Sequence, residues 1–181
     1  LMENGKQISM STRAGKFETL ADVVSEVGVD AARFMFLSRK SDSPLDFDLE
    51  LVKQRSMDNP VYYVQYAHAR ICAIKRRAAE ANPEFTKESS GEFSRYLLNK
   101  LERDLLRKAD AFTEVVSSSA AALAPHHVSY YLMELARELH AYYAAVQVLS
   151  EPDLNIVKAR LELLTGIGKV LKNGLALLGV E

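Results

Sequence analysis

Residues 59–81 decide the fold, and they read NPVYYVQYAHARICAIKRRAAEA. Asparagine caps helices and proline suits the first helical turn, so a helix is predicted to start at Asn59 and Pro60. At about 100° per residue, one arc of this helix is apolar. That arc is the predicted buried seam, formed by Val64, Ala67, Ile71, Ile74 and Ala78. A seam of this kind needs other helices to cover it.

Three later segments show the same spacing of apolar residues, which recur every three or four positions. They lie within residues 98–116, 128–146 and 154–178, and one long helix is predicted in each. Gly168 interrupts the last seam, where it is expected to let another backbone approach closely. We therefore predict an all-α fold, an antiparallel helical bundle.

The N-terminal part is organised differently. Residues 1–17 show no helical period, so a short stretch of strand and loop is predicted there. Short helices are then predicted at Thr19–Val27 (with Gly28 as its stop), Asp30–Arg39 and Asp48–Met57. We divide the chain into a segment 1–17 and a helical domain 18–181. Because the chain begins Leu1–Met2, we expect it to be part of a longer protein.

Composition and missing motifs exclude several classes of protein. The 181 residues carry a net charge of -1, so no overall positive charge draws the chain to nucleic acid. Cys72 is the only cysteine, which excludes an intramolecular disulfide and a cysteine-based zinc site. The four histidines lack metal-ligand spacing, so no metal is expected. With no membrane span and no signal peptide, a soluble cytoplasmic protein is expected. Without a phosphate-binding loop or a nucleophile elbow, the chain alone does not read as an enzyme.

The other side of the 59–81 helix carries Tyr62, Tyr66, Arg70, Ala73 and Arg77, and so combines aromatic with basic residues. Tyrosines can stack on unpaired bases while arginines hold phosphates, as in proteins that bind RNA loops. The pattern leaves an alternative open, in which the tyrosines belong to the core and the arginines are solvated. A third interpretation, binding to a membrane surface, needs an apolar face open to lipid, whereas the apolar seam of this helix is suited to packing against other helices.

Several motifs together resemble arginyl-tRNA synthetases. They occur in the family's order: SMSTRAG at 9–15, DAARF at 30–34, DFD at 46–48 and NPVYYVQYAHAR at 59–70. The resemblance continues through residues 112–114, 135–149 and 175–180. It covers the whole chain but only the C-terminal third of such an enzyme, including the anticodon-binding domain that is named after its Asp-Ala-Leu-Arg motif.

The resemblance implies a class I enzyme that attaches arginine to its tRNA, with magnesium-bound ATP as cofactor. Segment 1–17 would be the tail of the catalytic domain with its KMSKS-like, ATP-associated loop at Ser9, Met10, Ser11, Thr12 and Arg13. The loop's two lysines, which stabilise the triphosphate electrostatically, are replaced here by serine and threonine. The other class I signature is absent from these residues. The chain alone is therefore expected to be catalytically inactive and to need no cofactor.

The resemblance also implies which residues bind the tRNA anticodon. They are Asn59, Tyr63, Tyr66 and Arg70, with Tyr143 as a candidate from a second helix. The two tyrosines of the first helix would stack on or wedge against loop bases, and Asn59 and Arg70 would bond base edges or phosphate. Arginine-specific tRNA is the expected partner, arginine and ATP are partners of the full enzyme, and a monomer is expected. The alternative is a synthetase-derived helical module that binds another protein and has no role in charging tRNA.

Overall fold

A computed structural model describes residues 2–3, 6–7, 19–86, 93–97 and 99–181. The first two pairs form a small antiparallel hairpin of β1 (Met2–Glu3) and β2 (Lys6–Gln7). Among the described residues there are eight α-helices: α1 (Leu20–Val27), α2 (Val29–Leu37), α3 (Leu49–Lys53), α4 (Pro60–Ala81), α5 (Lys100–Asp110), α6 (Phe112–Ala121), α7 (His126–Ala145) and α8 (Leu154–Leu177). Two short 3-10 helices, Pro83–Thr86 and Phe93–Tyr96, connect α4 to α5. The predicted all-α fold is confirmed.

The first helix begins and ends at the predicted residues. The Thr19 hydroxyl accepts from the Asp22 amide at 3.1 Å, and the Asp22 carboxylate accepts from the Thr19 amide at 2.8 Å. This reciprocal pair satisfies two amides that a helix N-terminus leaves unpaired. Gly28 ends α1 and also precedes α2, with φ of 86°, a backbone conformation that side chains disfavour.

The core lies among the three longest helices, α4, α7 and α8, which contact one another. Its side chains follow the predicted seams, and the most deeply buried include Val64, Ala67, Leu132, Leu135, Leu139, Leu164, Ile167 and Leu171. On α4, Ile71 and Ala78 are also buried, whereas Ile74 is only half-buried. The arrangement fixes α4 so that its apolar seam faces inward and its tyrosine-bearing side faces outward.

The structure differs from the predicted helix over 98–116. Two helices, α5 and α6, occupy this region and meet at Ala111. The interruption lets Phe112 place its ring 5.7 Å from that of Tyr131 on α7. The buried face of α5 also includes Glu102, which is 1% exposed and accepts a hydrogen bond from Arg160 at 2.7 Å. The apolar spacing gave no sign of this buried ion pair.

Two further expectations need correction. The third short helix ends at Lys53 and not at Met57, because the carbonyls of Val52 and Gln54 accept hydrogen bonds from the Asn59 side chain instead. Gly168 faces a side chain and not a backbone, since the Cγ2 atom of Ile71 would lie 3.4 Å from a Cβ placed there.

Candidate nucleic-acid interface

Asn59, one of the predicted binding residues, fixes the start of α4. Its Oδ1 atom accepts from the Val61 amide at 3.2 Å, and its Nδ2 atom donates to the Val52 and Gln54 carbonyls, each at 2.8 Å. Both donor hydrogens of the side-chain amide are therefore used, and the residue is 4% exposed. Asn59 therefore holds the start of α4 in place, and its direct contact with a ligand stays a prediction.

Three rings form a stack on the outer side of α4. The Tyr62 and Tyr66 rings lie 5.9 Å apart at 12°, as expected for residues four positions apart on a helix. The other neighbour of Tyr66 is His140 of α7, whose ring lies 5.7 Å away at 25°. We call these three residues the aromatic stack. Tyr66 keeps 38% of its surface exposed, so the stack is open to solvent.

Tyr63 takes a different position, although the sequence places it beside Tyr62. It is half-buried, and its ring contacts His140 edge-on with centroids 4.8 Å apart. The edge of one ring against the face of the other is a favourable aromatic geometry. Tyr63 thus supports the aromatic stack from the core side.

Arg70 and Tyr143, predicted from separate helices, lie together in the structure. The guanidinium carbon of Arg70 is 4.7 Å from the centroid of the Tyr143 ring, within the range of a cation–π contact. The Tyr143 hydroxyl is buried without a hydrogen-bond partner among the described residues, and burial raises its pKa. Tyr143 therefore orients the exposed Arg70 side chain.

The pKa values of two histidines, His68 and His140, are lowered, which favours their neutral form. Burial lowers the pKa of His140; the backbone of Tyr63 opposes the shift in part, and the charge of Arg70 adds to it. Burial also lowers the pKa of His68, and Lys172 of α8 contributes. The positive charge of the interface is therefore carried by arginine and lysine.

The second half of α4 is basic. Arg70, Lys75, Arg76 and Arg77 are all exposed, and no acidic residue occurs between positions 60 and 79. At 1.5 Å per residue these cations extend along roughly 10 Å of the helix. The aromatic stack and this basic segment together form one surface that could hold bases at one end and phosphates at the other.

The last residues of the chain are bound next to the aromatic stack. The Arg33 guanidinium donates to the Gly179 carbonyl at 2.8 Å, and Gln65 Nε2 donates to the Glu181 carbonyl at 2.7 Å. The Glu181 amide in turn donates to the Asp30 carboxylate at 3.3 Å. Side chains of α2 and α4 thus bind the C-terminal segment, and we call these three hydrogen bonds the clamp.

Comparison with known proteins identifies the family. Residues 64–181, more than half of the chain, match the DALR anticodon binding domain. The chain belongs to this family. An arginine–tRNA ligase of Oleidesulfovibrio alaskensis is 62% identical over 181 residues, and one of Lawsonia intracellularis is 57% identical over 180. The alignments cover 100% and 99% of this chain but only 33% and 32% of those proteins. The chain thus spans about a third of the length of these relatives.

Solved structures confirm the architecture of this DALR domain. A Campylobacter jejuni protein assigned as an arginyl-tRNA synthetase superposes with a TM-score of 0.82 at 31% identity, covering 99% of this chain and 38% of that one. The Thermus thermophilus arginyl-tRNA synthetase superposes with a TM-score of 0.71 at 27% identity, covering 93% of this chain and 28% of that one. The helical domain of this chain thus has the fold of those regions.

The clamp gives a structural role to the segment Asp-Ala-Ala-Arg at 30–33, which precedes the residues that match the family. Ala31 and Ala32 are buried against the core, whereas Asp30 and Arg33 bind the C-terminal residues. The helical period placed Tyr62 on this side of α4, although it was not among the predicted binding residues. His140 was not predicted at all, because nothing near it in the sequence indicates a place at the interface.

Other predictions concern the ATP-associated loop, metal sites and membrane spans. The loop residues Ser9, Met10, Ser11, Thr12 and Arg13 are outside the described residues. Within the part of the chain that the structure describes, no cluster of three or more histidine, cysteine or acidic side chains could hold a metal ion. None of the described helices combines the length and the apolar character needed to cross a bilayer.

Proposed function

We propose that this DALR domain is the anticodon-binding part of an arginine–tRNA ligase, the enzyme that attaches arginine to its tRNA using ATP. The observation that carries the proposal is the surface on which the aromatic stack adjoins the basic segment of α4. RNA loops are recognised by stacking of unpaired bases on aromatic rings and by cations that bind phosphate. In this bundle the exposed tyrosines and the cations both lie on one helix, α4.

Each predicted residue has a specific part in this proposal. Tyr66 contacts a loop base through the exposed part of its ring, while Tyr62 and His140 hold the ring from either side. Arg70 binds phosphate or a base edge and is oriented by Tyr143. Tyr63 supports the stack through His140, and Asn59 acts by fixing the start of α4.

Binding of the chain to arginine-specific tRNA at low salt tests the proposal, with an anticodon-swapped tRNA as competitor. Tyr66→Ala should weaken binding by about 1–3 kcal/mol, because it removes the central ring of the aromatic stack. The matched control is Tyr130→Ala, which removes an exposed tyrosine near the start of α7. Equal affinity for the two tRNAs would contradict anticodon recognition. No binding at all would favour a helical module that binds another protein.

Arg70→Gln gives an independent readout. Removing one phosphate contact should weaken binding to every tRNA sequence and reduce the slope of log affinity against log salt by about 1. The unfolding temperature should change little because Arg70 is exposed. An unchanged slope of log affinity against log salt would mean that Arg70 does not bind phosphate.

Catalysis belongs to the remainder of the proposed enzyme, where magnesium-bound ATP and arginine would bind. Since the chain spans about a third of its relatives, we expect it to show no arginine-dependent exchange of pyrophosphate into ATP. Detectable exchange by the purified chain would contradict this. A cytoplasmic monomer is part of the same proposal, and sedimentation of the chain would test its oligomeric state.

A further inference from the structure

His140 of α7 lies beneath the candidate interface, with rings of α4 on two sides. Its ring is stacked on that of Tyr66, with centroids 5.7 Å apart at 25°, and contacts the Tyr63 ring edge-on at 4.8 Å. The residue is half-buried, whereas Tyr66 and Arg70 are exposed. An RNA bound to those two side chains would therefore contact the immediate neighbours of His140.

The ring nitrogens of His140 have no hydrogen-bond partner. Both are buried, and neither bonds to any of the residues that the structure describes. A neutral imidazole has one N–H donor and one acceptor, so both of these are unused. Because most buried polar side-chain atoms are paired, an unpaired ring requires a physical explanation. His140 thus places a titratable group with unused bonding capacity next to the surface proposed to bind RNA.

Arg70 is the charged group that acts on this ring. Burial has the largest effect and lowers the pKa of His140; the backbone of Tyr63 opposes it in part, and the charge of Arg70 lowers the pKa further. Among the described residues, no charge on α2, α5, α6 or α8, the other helices that contact α7, adds to this shift. The other groups facing the ring are the phenols of Tyr63 and Tyr66, and phenols as a class titrate only near pH 10.

A phosphate bound to Arg70 would change the electrostatic environment of His140. Its negative charge would offset the guanidinium charge at the ring, so the imidazolium form would become less unfavourable. The tyrosine rings are compatible with this form, because a cation is attracted to the face of an aromatic ring. Binding of RNA and binding of a proton would then favour each other, and this coupling is reciprocal.

We propose that His140 takes up a proton from solvent when RNA binds at Arg70, so that the affinity for RNA rises from about pH 8 to about pH 5.5. The inference rests on the proposed function and deepens it, because it adds regulation by pH to the same site. His140 is a positioning residue in this scheme, since it acts on RNA through Arg70 and Tyr66.

Binding of the 181-residue chain to an RNA hairpin with the anticodon stem-loop of an arginine tRNA tests the inference. At constant ionic strength, the wild-type affinity should rise about three- to tenfold over that range of pH, as for a pKa that increases by up to about one unit on binding. His140→Gln keeps a planar polar side chain that takes up no proton, so its affinity should not depend on pH. The matched control is His68→Gln, which removes the other histidine with a lowered pKa and should retain the dependence.

Calorimetry supplies a second readout that needs no variant. The wild-type chain and the hairpin are mixed at about pH 6.5, near the ordinary histidine pKa, in buffers of different ionisation enthalpy. The difference in heat gives the number of protons taken up, and we expect a measurable fraction of one proton. Arg70→Gln should take up less, because no phosphate is then held beside His140. Circular dichroism at each pH verifies that the chain is folded.

The outcomes separate this inference from the proposed function. If the hairpin binds but its affinity does not rise as the pH falls, or if His140→Gln shows the same pH dependence as the wild type, the inference is overturned and the anticodon-binding function stands. Binding of the wild-type chain without proton uptake would overturn it in the same way. If the chain does not bind the hairpin at any pH tested, both are overturned.

Discussion

Replacing Gly174 with alanine should destabilise the bundle, although alanine favours helices. A Cβ atom at this position of α8 would lie 2.5 Å from Cδ2 and 3.1 Å from Cγ of Leu132 on α7. The Leu132 side chain is fully buried, so it has no free space into which it can move. Overpacking of this kind costs about 1–3 kcal/mol, and the gain in helix propensity offsets about 1 kcal/mol. We expect a net loss of up to about 2 kcal/mol.

The same helix provides matched controls. Gly166 is exposed, and a Cβ there would meet nothing within 4 Å, so Gly166→Ala should stabilise the chain by about 1 kcal/mol. At Gly168 the added Cβ would make an ordinary contact with Ile71 at 3.4 Å, and Gly168→Ala should not destabilise the chain. The three substitutions are chemically identical, so their differences report packing alone.

Urea unfolding followed by circular dichroism measures these changes, with thermal unfolding as a second measurement. For a chain of this length, each kcal/mol should shift the unfolding temperature by about 2–4 °C. The expected order of stability is Gly166→Ala above wild type and Gly174→Ala below it. If Gly174→Ala were as stable as Gly166→Ala, the close approach of α7 and α8 at this point would be refuted.

Three further perturbations test other contacts. Glu102→Ala should lower the free energy of unfolding by about 1–3 kcal/mol in urea titrations, because a mostly buried Arg160 loses its closest carboxylate and keeps only Glu151 at 3.2 Å. Arg33→Ala should cost about 1 kcal/mol or less but speed hydrogen exchange of the last two amides, because it removes the hydrogen bond to the Gly179 carbonyl. The pKa of His140 is lowered in the folded state, so the unfolded chain binds more protons as the pH falls. The contribution of His140 to stability is therefore present above about pH 6.5 and lost at lower pH. Unfolding measured from pH 8 to 5 should therefore depend less on pH in a His140→Gln variant.

Local signals in the sequence predicted most of the helices. Thr19 caps the start of α1, Gly28 ends it, and Asn59 caps the start of α4. These positions could be predicted because capping depends on hydrogen bonds between residues only a few positions apart. The burial of Glu102 could not be predicted in this way, since its partner Arg160 is 58 residues away. The local sequence around a carboxylate is the same whether it lies on a helix surface or in the core. Only the position of the opposite helix shows which of the two it is.

The candidate interface shows the same division between local and distant contacts. The period of α4 alone places Tyr66 and Arg70 on its outer side, so those two residues could be selected from spacing and resemblance. Their supports come from α7, because His140 stacks on Tyr66 and Tyr143 lies under Arg70. Substitutions on α4 should therefore remove single contacts with RNA, whereas a substitution at His140 should also alter how the tyrosines of α4 are presented. A double-mutant cycle between Tyr66 and His140 should show non-additive losses of RNA affinity, and additive losses would mean that the stack does not act as a unit.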